Sequence, residues 1–422
     1  GVSLALDSGR ADRLLLAAER WRAGSLVVAA VPPPDPVLAE LLDRFRSASA
    51  RRREAPGPES DVALAAIEAQ VRDRTRARRG TADARDAVPP LVLGDLAARL
   101  GDRALVEWVV HRGQLHAVTV CDGRVRSSHL GPVQPALDAV ASVRMCLHRL
   151  ARGVGSARSL AAAWTTLEVA AKEAADALFG PILSTLDERE LVLVPTGVLH
   201  GVPWLALDVV RRVPVVVAPS ARAWLAADGR SRRGGLLLAA GPDLPGAAAE
   251  VAALAATLPD GVLLDPEHAN VGAVLGALGS VGVAHLAAHG RFRTDNPQFS
   301  SLRFADGELT VYDLEALTHV PDVLVLSACD AASAAVRPGD ELLGLSSALL
   351  ALGAGSLVAP SVPVPDDATV APMVLLQGEL AGGSSARTAL WQAVRAWDDA
   401  GAGTPADHQV AAAVRSFVAL GA

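Results

Sequence analysis

The chain has 422 residues, 51% of them hydrophobic, 20% charged and 3% aromatic, enough for two or three domains with real cores, which excludes a wholly disordered protein. The net charge is −7 and the pI about 5.8, so no global basic field exists to hold a nucleic acid or an anionic membrane. Cys121, Cys146 and Cys329 are too scattered for a disulfide framework or a zinc cluster; they suit a reducing compartment, and a cytoplasmic location is expected. Lys172 is the single lysine among 39 basic residues, a skew of GC-rich genomes that fits a bacterial source. The chain opens at Gly1 with no secretory signal, and a longer parent protein is expected.

In chain order, residues 11 to 85 carry leucines and alanines at three and four spacing, broken at Pro32 to Pro34, and predict a helical segment. Its arginine runs, Arg51 to Arg53 and Arg72 to Arg79, read as solvated helix faces without a partner. Residues 104 to 130 contain strand-like runs separated by Arg112-Gly113 and Asp122-Gly123, which predicts an antiparallel meander. A long helix over Leu160 to Phe179 and a short strand in ELVLVPTG follow. Beyond residue 233, apolar strands (GGLLLAAG, GVLLD, GVAHLAAHG, DVLVLSACD, GSLVAPSV) alternate with helices, and LRFADGELTVYDLEAL is read as a loop. Strands apolar throughout and joined by helices predict a parallel sheet covered on both faces, an α/β fold. The uncharged run from Leu342 to Val364 is interrupted by glycines and prolines and reads as a buried helix and strand instead of a membrane span.

Reacting groups in such a sheet gather beyond the carboxyl ends of the strands. His289 is read as closing the strand GVAHLAAH, and Cys329 as closing DVLVLSAC. Neighbouring strands stand about 4.8 Å apart, so an imidazole and a thiol at matching ends come within reach. The imidazole can then take the thiol proton and backbone N–H groups, Gly290 among them, can hold an oxyanion. Taken singly, a cysteine or a histidine at a strand end is also an ordinary core residue. His285 and His289 are four apart, as in HExxH, but the general-base Glu is missing and strand geometry separates them by roughly 13 Å, so no metal is expected. No phosphate-binding glycine motif follows a strand, and no cofactor is expected.

At these residues the sequence resembles the CHAT family, caspase-like peptidase domains related to separase and often found behind tetratricopeptide repeats. The resemblance runs in order through LVLVPTGVLHGVPWLAL (191–207), GPDLPGAAAEV (241–251), AHLAAHG (284–290), SSLRFADGELTVYDLEAL (300–317), VLVLSACD (323–330) and the stretch 339–367. It implies a caspase-like three-layer α/β/α fold: a helical linker from an upstream repeat region (1–90), an inactive caspase-like half (91–232) and a catalytic half (233–422). It further implies a cysteine endopeptidase with catalytic His289 and Cys329, oxyanion donors at Gly290 and Cys329, and Asp330, Asp366 and Asp367 facing the substrate. Arg or Lys is expected before the scissile bond, and an activating partner is expected on the upstream repeats. His200 and Trp204 also match family positions and are read as packing. Two stretches depart from the family pattern, Ala331-Ala332-Ser333 where Thr-Gly is usual and Val362-Pro363 where Leu-Trp is usual; the oxyanion loop and specificity pocket are expected to differ there. The second reading is a catalytically silent CHAT docking module; the pairing of His289 with Cys329 favours the enzyme.

Overall fold

The structure is a computed structural model that describes residues 1–22, 35–79, 90–293, 295–328, 335–337, 341–343, 345–399 and 404–422. Four helices open the chain: α1 (Val2–Asp7), α2 (Ala11–Arg22), α3 (Pro36–Glu54) and α4 (Pro58–Arg79). Asp35 caps α3 by accepting the Val37 and Leu38 N–H groups, and Pro36 occupies the first helical turn, where a missing N–H costs nothing.

Sixteen strands are described. The first five are β1 (Ala104–His111), β2 (Gln114–Cys121), β3 (Arg124–Pro132), β4 (Leu191–Val194) and β5 (Val215–Val217). Next come β6 (Leu236–Ala240), β7 (Val262–Leu264), β8 (Val283–Ala287), β9 (His289–Arg291), β10 (Ser301–Phe304) and β11 (Gly307–Thr310). The rest are β12 (Val323–Ser327), β13 (Ala335–Arg337), β14 (Glu341–Leu343), β15 (Ser356–Pro360) and β16 (Phe417–Gly421).

Eleven of these form one sheet in the order β3-β2-β1-β4-β5-β16-β15-β12-β8-β6-β7. It is mostly parallel; the antiparallel pairs are β1 with β2, β2 with β3, and β15 with β16. The first two are the expected meander. At both turns the paired residues have positive φ, 50° and 74° at Arg112-Gly113 and 50° and 71° at Asp122-Gly123, the twist that a two-residue hairpin requires.

Alternate residues of each strand enter opposite cores, as a sheet covered on both sides demands. On one face Val106, Leu193, Val217, Val325 and Val358 share a core with the helices Gln134–Ala151, Ala157–Phe179, Ala386–Asp399 and Pro405–Arg415. On the other, Leu105, Val192 and Val216 pack under α2, and Leu324, Leu326 and Leu357 pack under the helices Val271–Leu278 and Leu345–Ala351. Trp204 is fully buried and stacks on Trp108 at 5.0 Å between centroids.

Three expectations change. The strand read through His289 ends at Ala287; His289 instead opens β9, which belongs to a separate antiparallel sheet, β11-β10-β9. The segment read as a loop is the β10–β11 hairpin, turning at Ala305-Asp306. Glu341–Leu343, read as the start of a helix, pairs as a strand with β13.

Candidate functional site

The carboxyl edge of the sheet is set by strand register. In the parallel pair β8 and β12, Ala287 stands opposite Ser327. Two residues beyond Ala287 is His289, half-buried. Two residues beyond Ser327 in the sequence is Cys329; Cys329 and Asp330 lie outside the described residues.

His289 belongs to a cross-strand row. On the three-stranded sheet it is paired with Arg303 of β10, and Arg303 with Glu308 of β11, so the three side chains share a face with neighbouring Cβ atoms about 5 Å apart. Arg291 and Ser301 form a second row on that face. Gly290 is paired with Leu302, which belongs to the buried opposite face. Arg303 also reaches the Asp243 carboxylate beyond the end of β6.

Over this polar face lies the α3–α4 hairpin, and between them is a cavity of about 290 Å³. The sheet contributes His289, Gly290, Arg291, Ser301, Arg303 and Glu308; the hairpin contributes Ser49, Arg52, Arg53, Pro56, Asp61 and Leu64. This corrects the reading of Arg51 to Arg53 as a run without a partner, although the run is solvated as expected. Arg51 is exposed, but Arg53 pairs with Glu308 and Arg52 with Asp61. The wall residues Arg303 and Glu308 were missed because their segment was read as a loop; the one signal that could have found them is the turn dipeptide Asp306-Gly307.

Asp366 and Asp367 do not line the cavity. The Asp366 carboxylate accepts the Gly246 N–H at 2.9 Å, in the first turn of the helix Pro245–Thr257, where an anion is favoured by the unpaired N–H groups. Asp367 is exposed. His285 points away from His289's row, into a buried network. Its Nε2 faces Glu250 Oε1 at 2.8 Å and therefore carries the proton, and Nδ1 accepts from Gln377 Nε2 at 3.1 Å. The second Glu250 oxygen accepts the Thr369 hydroxyl at 2.6 Å, so both histidine nitrogens and both carboxylate oxygens are occupied. Among the described residues no cluster of three metal-ligating side chains occurs, and no helix is long and apolar enough to cross a membrane.

The family model described as CHAT domain matches residues 168–403, more than half of the chain. The chain belongs to the CHAT family. No curated protein matches the sequence. Among solved structures, two of the Saccharomyces cerevisiae separase–securin complex resemble this CHAT protein at TM-scores of 0.56 and 0.54. Each is 10% identical over 78% of this chain, a likeness of fold, and the match spans 30% and 31% of those longer chains. The separase likeness and the covered, mostly parallel sheet agree with the caspase-like α/β architecture expected from the sequence. The family match includes His289, Gly290, Asp366 and Asp367, and it begins well after the α3–α4 hairpin.

Proposed function

We propose that this CHAT protein is a cysteine endopeptidase in which Cys329 is the nucleophile and His289 the general base. The observation that best supports the reading is the position of His289: it stands on a cavity wall just past β8, whose last residue is in register with the residue two before Cys329. In such a site His289 takes the thiol proton and the thiolate attacks the peptide carbonyl. The N–H groups of Gly290 and Cys329 stabilise the oxyanion, the imidazolium returns the proton to the leaving amine, and water then releases the acyl group.

The substrate is a protein. In this reading Asp330 and Asp367 favour Arg or Lys before the scissile bond, since a carboxylate selects a guanidinium through charge-assisted hydrogen bonds. Asp366 contributes by holding the adjacent turn against Gly246. Control by a protein partner acting through upstream repeats is part of the proposal, and the separase structures, solved with securin, offer an analogy for it. A cytoplasmic location fits the buried free thiols of Cys121 and Cys146.

The test is cleavage of an unbiased peptide library by the full chain. Cys329→Ala and His289→Ala should each abolish it, and the double variant should be hardly worse than either, because the two groups act as a unit. Turnover retained by Cys329→Ala ends the assignment of Cys329 as nucleophile, and a wild-type chain that cleaves no peptide leaves the silent docking module.

A further inference from the structure

The hairpin of α3 and α4 is fastened over the cavity at several points. Arg46 reaches Asp313 at 3.0 Å, Arg53 pairs with Glu308, and Arg293 pairs with Glu68. All three carboxylates are nearly buried, at 5%, 8% and 6% exposure, so releasing any of them would strand a charge in a poorly solvated place. Phe45 packs on Phe299 at 4.9 Å and Phe299 on Tyr312 at 5.0 Å, with Leu41, Leu42, Leu64 and Ile67 completing a small core. Gly307, the first residue of β11 at φ +141°, permits this closeness: a Cβ there would lie 2.9 Å from the Arg46 side chain.

A wall held by three ion pairs and an apolar core stays in place while a ligand enters. At about 30 Å³ per water, a cavity of about 290 Å³ holds on the order of ten waters, room for one large side chain. Whatever enters beside His289 therefore meets the hairpin. Resting on the peptidase reading above, we infer that the α3–α4 hairpin is a substrate-contacting wall, and that Ser49, Arg52 and Leu64 help to select the side chain admitted to the cavity.

These residues differ in how safely they can be changed. Arg52 pairs with Asp61 of the same hairpin, and both are substantially exposed, so Arg52→Ala removes a guanidinium from the cavity without touching the fastening contacts. Ser49 is buried at the cavity edge, and Ser49→Phe would occupy the space. Arg51 is exposed on the same helix and does not line the cavity, so Arg51→Ala is the control.

The experiment profiles the full chain and these three variants against one peptide library, immobilised for binding and free in solution for cleavage. Arg52→Ala and Ser49→Phe should shift the preference at a single substrate position, with kcat/KM for the preferred residue there falling about tenfold in Arg52→Ala, as expected for one lost charge-assisted contact. Arg51→Ala should keep the wild-type profile. Identical profiles for the wild type, Arg52→Ala and Ser49→Phe overturn the inference even if cleavage is brisk. If no peptide is cleaved, the peptidase reading fails separately and the binding profile decides: a shift confined to the two wall variants supports a ligand wall, and an unchanged or empty profile overturns it.

Discussion

At the scale of single residues, the two described cysteines set the background against which Cys329 has to stand out. Burial pushes the Cys121 thiol above its ordinary value, and the nearby Arg189 charge only partly offsets this; burial does the same to Cys146. The thiolate is the nucleophile towards an alkylating reagent, so both should react slowly near neutral pH. With iodoacetamide at pH 7.5 and peptide mapping by mass spectrometry, Cys329 should be modified at least about tenfold faster than either, and His289→Ala should remove the advantage. Equal rates at all three cysteines would show that Cys329 is not activated. The two aspartates separate in the same way. Asp366→Ala leaves the Gly246 N–H without its acceptor and should cost about 0.5–2 kcal/mol, the usual range for a lost helix cap. Asp367→Ala, on an exposed side chain, should leave the melting temperature unchanged and reveal itself only in the substrate profile.

At the scale of elements, the meander carries a pH dependence. His116 and His129 are cross-strand partners on β2 and β3 with rings 5.0 Å apart. Burial first, then the charges of His129 and His111, lower the His116 pKa from its ordinary 6.5. A depressed folded-state value means stability that is present above about pH 6.5 and lost as the pH falls through the folded pKa. Thermal melts from pH 7.5 to 5 should therefore show a steeper loss for the wild type than for His129→Gln; parallel curves would contradict the coupling. This meander was legible because its turns are two-residue steps that need positive φ, and Arg-Gly and Asp-Gly announce them. The hairpin β10–β11 carries the same Asp-Gly signal, but its strands are four residues each, too short for alternation to stand out from a loop. The row His289, Arg303, Glu308 joins residues 14 and 5 apart in sequence, and only strand register makes them neighbours. Helical periodicity likewise says which residues of α3 share a face, but not that Arg53 meets a carboxylate 255 positions later.

At the scale of the molecule, the two parts of the large sheet meet at one strand. Strands from residues 104–217 lie on one side of β16 and strands from residues 236–360 on the other. β16 pairs along five positions with β15 and meets β5 at Leu420 and Val217. The core beneath it is shared: Trp108, Val217, Val325, Val358 and Phe417 all belong to one apolar cluster. Arg415, just before the strand, is nearly buried, bonded to Asp398 and to Glu168, with its guanidinium 4.7 Å from the Trp164 ring centroid. Phe417 is fully buried, so Phe417→Ala removes a large side chain from the seam and should cost about 3–5 kcal/mol. Because neither part closes its core without the other, calorimetry should show a single transition, and the substitution should lower all of it together, by roughly 2–4 °C for each kcal/mol if the cooperative unit behaves like a domain of 150–250 residues. The contrary result is equally readable. Two transitions, only one of them moved by Phe417→Ala, would mean that the parts are stable separately and that β16 merely bridges them.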